Sequence, residues 1–287
     1  MARRPRRATP NSSLEHRDTR CHFESMMRKG RGPNPIAVAA AVRRAARVRP
    51  PAPAGTATAE HRDLGLVLDA IRAGGLDELA GQLDRLGEYK TSLAALDPDA
   101  MGASDALAFW LNLYNAGALA LAGNARSRGE QSVLRVPGAF TSGWVEVAGE
   151  TLSLHDIEHG KIRRFRDPRI HGGLVCDTAS CPTIRFEPYV GPKLDSQLDD
   201  QMRSFLASGG ATIDKARRTL HVSRIFLWYG GDFTRPQKMP TWLPAGRKRL
   251  VRVLARWFDA ETREWQEREK PKLSFHPYDW ELACSVA

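Results

Sequence analysis

The stretch that decides the fold is ALAFWLNLYNAGALALA, residues 106–122. It is apolar on almost every face and predicts a central helix, because a surface helix keeps a polar face. Ser104 and Asp105 can cap its start. Two asparagines, Asn112 and Asn115, interrupt the apolar run. Since an unpaired buried amide costs about 1–3 kcal/mol, each should bond a specific group, either a neighbouring loop or a substrate carbonyl or oxyanion.

Shorter elements surround this helix. Hydrophobic spacing and turn residues predict two short helices within 61–86, helices at 153–165 (capped by Ser153 and Asp156), 194–206, 225–229 and 250–258, hairpins at 144–152 and 212–222, and strands at 169–176 and 272–275. Six aromatics are assigned to the core: Phe226, Trp228, Tyr229, Phe233, Trp257 and Trp280. The mixture predicts an α+β fold of central apolar helices on a small mixed or antiparallel sheet, of the papain or transglutaminase kind.

Charge and composition divide the chain. Residues 1–60 are basic and rich in proline and alanine, which predicts a disordered extension with a short helix at 36–48. Residues 61–287 are expected to form one globular domain. Residues 1–50 hold 13 of the 43 basic and 3 of the 33 acidic residues, so the other 237 residues are formally neutral. We therefore expect no specific nucleic-acid binding, only non-specific polyanion contact by residues 1–50.

Targeting signals and cysteine usage indicate the compartment. No run approaches the roughly 18 apolar residues of a membrane helix, so no transmembrane segment is expected. The basic N-terminus is followed by no hydrophobic stretch, and this predicts a cytoplasmic protein. Four cysteines stand at positions 21, 176, 181 and 284 without a CxxC pair. Reduced thiols are expected, although the spacing also permits a bridge between Cys176 and Cys181.

The segment RIHGGLVCDTASCP, residues 169–182, carries the most reactive side chains. Pro182 suits the first position of a helix, so Cys181 would meet unpaired N–H groups and the helix dipole, which favour the thiolate. Cys176 ends an apolar run, and core packing is favoured for it over catalysis. In a regular strand, His171 and Cys176 would face opposite sides.

A second motif follows the predicted hairpin. The residues from His155 to His159 form an H-x-x-E-H pattern, which places two imidazoles on one helix face and can bind zinc with a further ligand. Glu158 and His159 can also work without a metal, as an acid or base and its neighbour. Both uses stay open at this point.

These segments together resemble one known family. The strings FWLNLYNA (109–116), IEHG (157–160), DPRIH (167–171), VC (175–176) and SCP (180–182) match its signatures in order, as do residues near 194–206, 225–233 and 278–280. The chain is similar, over residues 92–284, to the domain-of-unknown-function family numbered five hundred and forty-seven, found in bacteria and plants. Gly172-Gly173 and Ala283 depart from the family pattern. The resemblance implies a fold unit and motif positions, but no activity.

Three hypotheses follow. The first is a thiol-dependent hydrolase or acyltransferase that acts on an amide, ester or thioester of a small molecule or peptide and needs no cofactor. Cys181 would be the nucleophile, and His159 or His171 would be the base. Glu158 or Asn115 would orient that base or stabilise an oxyanion. The residues expected to bind the substrate or the oxyanion are Asn115, Asn112, Ser180 and Cys176. The second is a structural or hydrolytic zinc site built from His155, His159, His171 and the cysteines. The third is a non-enzymatic interaction domain.

Overall fold

The computed structural model describes residues 55–241 and 243–283. Residues 1–54 of the predicted disordered extension lie outside these residues, as do the helix at 36–48 and the polyanion contact of residues 1–50. Ala57 forms a β-bridge with Met101, so the packed part of the chain already includes residues before position 61.

The helices are numbered in chain order. They are α1 (Arg62–Gly74), α2 (Leu76–Leu79), α3 (Leu83–Ala94), α4 (Ala103–Ser127), α5 (Leu154–Asp156), α6 (Ile170–Gly173), α7 (Leu194–Phe205), α8 (Ile225–Trp228), α9 (Gly230–Thr234), α10 (Arg247–Leu254) and α11 (Ala260–Glu269). Short 3-10 turns lie at Ala80–Gln82, Pro98–Ala100, Val133–Arg135, Arg163–Phe165, Gly191–Lys193, Pro236–Lys238 and Ala255–Trp257, with wider turns at Ile157–Ile162 and Leu206–Gly210.

The strands form two small sheets. β1 (Val145–Val147) and β2 (Glu150–Leu152) pair as an antiparallel hairpin. β3 (Ala211–Asp214) pairs antiparallel with β4 (Thr219–Val222), and β4 pairs parallel with β5 (Lys272–Phe275). Both predicted hairpins and the last predicted strand are confirmed, and with them the α+β fold class.

Helix α4 is the central helix that the apolar stretch predicted. It is longer than predicted at both ends, and 18 of its 25 residues are buried. Its N-cap is Gly102, so the predicted cap by Ser104 and Asp105 is wrong; the helix begins before them. Among the described residues it is the single helix long and apolar enough to cross a membrane, but 94% of its tested window is buried inside the fold. This burial is that of a core helix.

Two hydrophobic clusters make up the core. The larger one surrounds α4, and the smaller one lies between the three-stranded sheet and helices α8 to α11. Helix α7 joins them, because Leu194 and Leu198 belong to the first cluster while Met202 and Phe205 belong to the second. The seam between the clusters is where the polar site lies.

The predicted strand at 169–176 is wrong. The chain forms the helical turn α6, closed by the hydrogen bond from Leu174 N to Ile170 O at 2.8 Å, and only then becomes extended. Residue 172 is glycine for a packing reason: a Cβ there would come within 2.5 Å of Met202 Sδ. The two glycines thus let α7 approach closely, which a period-two pattern could not reveal.

Candidate functional site: a thiol pair beside a buried histidine network

The two free cysteines of the described residues meet at the seam. Their Sγ atoms lie 3.0 Å apart, and the backbone N–H of Cys176 donates to Cys181 Sγ at 2.9 Å. Both side chains are partly buried. Asp177 holds φ at 54°, in the left-handed region, and so turns the chain back directly after Cys176. The turn closes where Cys181 N donates to Thr178 O at 2.9 Å.

No helix follows Cys181. Residues 182–190 are irregular, so the predicted helix entry and its dipole are absent there. The surroundings instead act oppositely on the two thiols. Burial raises the pKa of Cys181 well above its ordinary value. The hydrogen bond with Cys181, followed by those with Thr178 and Tyr278, lowers the pKa of Cys176.

The two hydroxyls reach only Cys176. Its Sγ lies 3.3 Å from Thr178 Oγ1 and 3.4 Å from Tyr278 Oη. Thr178 Oγ1 also donates to Tyr278 Oη at 3.3 Å, so the Tyr278 hydroxyl keeps its own proton to donate a hydrogen bond to a Cys176 thiolate. Cys181 Sγ has the Cys176 amide and, at 3.9 Å, the Leu174 carbonyl. When the pair loses one proton, the negative charge therefore rests on Cys176.

The end of the described chain clamps the thiol loop. Ala179 N donates to Glu281 O at 3.0 Å, and Asp279 N donates to Ser180 Oγ at 2.8 Å. Thr178 forms an isolated antiparallel bridge with Leu282. The hydroxyl of Ser180, predicted to face a substrate or oxyanion, thus accepts a hydrogen bond from this segment.

The same segment brings aromatic rings to the thiols. Tyr278 lies 4.5 Å from Trp280 and 4.9 Å from Trp228, measured between ring centroids. All three side chains are partly exposed, whereas Phe226 and Phe233 are buried. Trp257 is buried too, while Trp228, Tyr229 and Trp280 are partly exposed but pack against the core clusters, so the assignment to the core holds for them only in part. Trp228 and Trp280 form a half-exposed wall with Tyr278.

A small cavity lies on the Cys181 side of the loop. Its volume is about 90 Å³, and its lining includes Cys181, Thr183, Ile184 and Ser208. Because about 10–15 Å³ of such space suffices for one water, the cavity has room for several waters and for small reagents.

The histidines lie in a second polar network. His171 Nε2 donates to Asp232 Oδ2 at 2.9 Å, and the Arg163 guanidinium bonds both oxygens of Asp232 at 2.9 and 3.0 Å. The Arg163 and Asp232 side chains are fully buried. Burial alone would raise the pKa of Asp232, but the hydrogen bond and charge of His171, together with Arg163, lower it. The carboxylate is thus held ionised.

The IEHG motif lies in the wide turn Ile157–Ile162, not in a regular α-helix. His159 Nδ1 accepts from Arg163 Nη1 at 3.2 Å and lies 3.7 Å from Glu158 Oε1. Burial, followed by the charge of Arg163, lowers the pKa of His159 well below its ordinary value. His159 is therefore neutral and holds a proton poorly.

Two tyrosines connect the networks. The Tyr229 ring stacks on His171 at 4.0 Å, and burial, followed by the charge of Glu158, raises the pKa of Tyr229. Burial raises the pKa of Tyr114, and the charges of Glu158 and Cys176 raise it further, so this ring lies within electrostatic reach of both networks. Yet, within residues 55–241 and 243–283, all hydrogen bonds of the two thiols go to groups other than the histidines.

The two asparagines of α4 bind loops. Asn112 donates to Tyr189 O at 2.8 Å and accepts from Tyr189 N at 2.9 Å. Asn115 donates to Gly173 O and accepts from Val175 N. Both amides act as the tie to a neighbouring loop, and neither is aimed at an oxyanion.

The described residues hold no group of three or more histidines, cysteines or acidic residues placed to bind a metal. The rings of His155 and His159 do lie 4.4 Å apart, as the motif predicted. For the zinc hypothesis, the described residues therefore provide two neighbouring histidines but no complete set of ligands.

Sequence reasoning missed several residues of both networks. Asp232, Arg163, Tyr114, Thr178 and Tyr278 all contact or act on the predicted residues. Of these, Tyr114, Asp232 and Tyr278 lie within segments that match the family's motifs, which was a usable signal. Asp232 and Arg163 stand 69 positions apart, and no local pattern joins them.

The fold and site thus define an α+β domain with a paired thiol next to a buried histidine–aspartate–arginine network. Residues 98–206 match the model of the family described as protein of unknown function, DUF547. This confirms the resemblance inferred from the motifs, while the motifs after residue 206 lie outside the match. Neither a curated protein nor a solved structure matches the chain.

Proposed function

We propose that the protein is a thiol-dependent acyltransferase or hydrolase whose nucleophile is Cys176, with a thioester as the substrate class. The observation that carries the proposal is the set of three hydrogen-bonding groups around Cys176 Sγ, formed by the Cys181 sulfur, Thr178 Oγ1 and Tyr278 Oη. The thiolate is the attacking form of cysteine, and these groups stabilise it without a base.

The choice of Cys176 over Cys181 weighs two observations against each other. The small cavity opens on Cys181, whereas the hydrogen bonds that favour ionisation converge on Cys176. We assign the nucleophile by ease of ionisation. Both side chains are partly exposed, so access does not distinguish them, and a protonated thiol is a poor nucleophile. Cys181 acts on Cys176 through the Sγ–Sγ contact at 3.0 Å, the largest of the influences that lower the pKa of Cys176.

The thioester is favoured by the hydrogen bonds of the thiols. An amine leaving group must be protonated, usually by an imidazolium next to the nucleophile, and neither thiol bonds a histidine in the part of the chain that the structure describes. A thiolate leaves without a proton. Cys176 would form a bond to the acyl carbon, the substrate C–S bond would break with its electron pair on the leaving sulfur, and water or a second acceptor would then take the acyl group.

The aromatic wall supplies a place for the acyl group. Tyr278 contacts the nucleophile through its hydroxyl and packs against Trp228 and Trp280 through its ring. Partly exposed aromatic surface next to a reacting atom favours an apolar acyl chain over a charged one. Asn115 and the Asp232 network act as positioning groups, since they hold the segment that leads to Cys176.

Intact-protein mass spectrometry tests the proposal. The full chain, kept reduced with a phosphine, is incubated at pH 7 with a medium-chain acyl thiophenol ester, and we expect one acyl group per chain. Trypsin cleaves after Arg169 and Arg185, so both thiols lie in one peptide, and its fragmentation should place the acyl group on Cys176.

Variants separate the roles. Cys176→Ser should lose the thioester-linked acyl group, while Cys21→Ser, the matched control, should keep it. Tyr278→Phe keeps the ring but loses the hydroxyl, so acylation at pH 7 should slow by up to about tenfold for each unit that the pKa of Cys176 rises. An acyl group on Cys181, or none on the folded native chain, contradicts the proposal.

A further inference from the structure

The thiol loop is built so that two sulfurs meet. Cys176 and Cys181 are held 3.0 Å apart by the left-handed Asp177, the turn at Thr178 and the bonds to residues 279–283. A disulfide is about 2.0 Å long, so bond formation needs an approach of about 1 Å. Hydrogen bonds fix the loop from both sides, so little ordering entropy remains to be lost.

We propose that Cys176 and Cys181 are a reversible dithiol that a hydroperoxide closes to a disulfide, with Cys176 the attacking sulfur and Cys181 the resolving one. The Cys176 thiolate attacks the terminal peroxide oxygen and the O–O bond breaks, which forms Cys176 sulfenic acid and expels hydroxide from hydrogen peroxide or alkoxide from an organic hydroperoxide. A proton from solvent converts the hydroxide to water or the alkoxide to an alcohol. Cys181 then attacks the Cys176 sulfur, and hydroxide leaves with the proton of Cys181 as water. In sum, two thiols lose two electrons and two protons, and the peroxide gains them.

The two sulfurs are suited to different steps. Cys176 is partly exposed and its charge is stabilised by hydroxyls, which is typical of a peroxide-sensitive cysteine. Cys181 holds its proton but lies in contact with Cys176, so no loop movement is needed before it resolves the sulfenic acid. The cavity on the Cys181 side has room for a few waters and hence for hydrogen peroxide.

The disulfide would remove the nucleophile and so switch off acyl transfer, a consequence that rests on the proposed function. The oxidation itself does not, and it is measured without a thioester. A native chain that is not acylated can therefore still form the disulfide, so the two proposals are tested separately.

Peptide mapping tests the pair. The reduced full chain is treated with hydrogen peroxide, alkylated with iodoacetamide and digested with trypsin without a reductant. We expect peptide 170–185 to be two hydrogens lighter and free of alkyl groups, and dithiothreitol should restore two alkylation sites. A doubly alkylated peptide, or a peptide joined to the one that holds Cys21 or Cys284, overturns the proposal.

Two variants assign the order of attack. Cys181→Ser keeps a hydrogen-bond donor but cannot close the bond, so dimedone should trap a sulfenic acid on Cys176. In Cys176→Ser, oxidation of Cys181 should be at least about tenfold slower, because a protonated thiol reacts poorly. Equal oxidation rates of the two single variants would contradict Cys176 as the attacking sulfur. Cys284→Ser is the control and should form the disulfide as the native chain does.

Discussion

Asn115 holds Gly173 by its backbone. The amide nitrogen of Asn115 donates to Gly173 O at 3.0 Å, and its amide oxygen accepts from Val175 N at 3.2 Å. The side chain thus does what a neighbouring strand would do for an extended segment. Helix α4 thereby fixes the start of the segment that ends at Cys176.

Replacing this asparagine should destabilise the fold. In Asn115→Ala, a buried donor and a buried acceptor lose their partner, and we expect a loss of about 2–4 kcal/mol in the free energy of unfolding. Asn124→Ala is the matched control, since Asn124 is exposed on the same helix and bonds only Ala120 O. Urea unfolding measures both, and similar losses in the two variants would contradict the role of Asn115.

The ion pair of Arg163 and Asp232 should be costly to break. Arg163→Met leaves a buried carboxylate with His171 as its remaining side-chain partner, and we expect a loss of about 3–5 kcal/mol in the free energy of unfolding. The double variant Arg163→Met/Asp232→Leu should recover part of that loss, because no unpaired buried charge remains.

A surface pair provides the comparison. Lys215 and Glu261 are 2.9 Å apart but largely exposed, so Lys215→Met should cost less than about 1 kcal/mol. The same urea titrations apply. If Arg163→Met costs no more than Lys215→Met, the buried network contributes nothing to stability.

Stability should fall as the pH drops below about 6.5. Burial lowers the pKa of His61 to about 4, and its Nδ1 lies 2.6 Å from Tyr89 Oη. The unfolded chain therefore binds a proton before the folded chain does. The stability is fully present above pH 6.5 and is lost between pH 6.5 and 4, at up to about 1.4 kcal/mol per pH unit for this group.

The variant His61→Gln tests this assignment. It keeps a side chain that can bond Tyr89 but removes the titrating group, so its unfolding free energy should change less steeply over that pH window. His159, whose pKa is also lowered, adds loss in the same direction. Denaturant titrations from pH 7.5 to 4.5 measure the slopes, and an unchanged slope in His61→Gln would assign the pH dependence elsewhere.

The negative charge of Asp177 should lower the reactivity of both thiols. Hydrogen bonds and burial set most of the two thiol pKa values, and the Asp177 charge adds a smaller contribution that raises both. Asp177→Asn should therefore speed alkylation by iodoacetamide at pH 7, by less than about tenfold. Asparagine tolerates the left-handed φ of this position. Asp279→Asn, which alters an exposed carboxylate of the clamping segment, is the control and should leave the rate near that of the native chain.

Local patterns predicted the elements well where periodicity is strong. The central helix, both hairpins, the capping box of Ser153 and Asp156 and the strand at 272–275 are all present. The failures lie at the site. A pattern of apolar residues could not reveal that Asn115 replaces a strand partner at Gly173, or that Pro182 begins no helix.

The family resemblance and the residue types identified which residues belong to the candidate site, but not the role of each residue. Cys176, Cys181, His159 and His171 were all candidates, and the structure joins the thiols to each other and the histidines to Arg163 and Asp232. The pairing depends on contacts across many residues of sequence, which spacing does not encode.

The sequence by itself determined that a buried helix organises an α+β domain, because helical propensity and hydrophobic spacing act over a few residues. Only the tertiary structure decided which thiol carries the charge, because the hydroxyl of Tyr278 lies 102 positions from Cys176 and reaches it through the clamp on the thiol loop. A pKa is set by the atoms within a few ångströms of a group, and folding alone chooses those atoms.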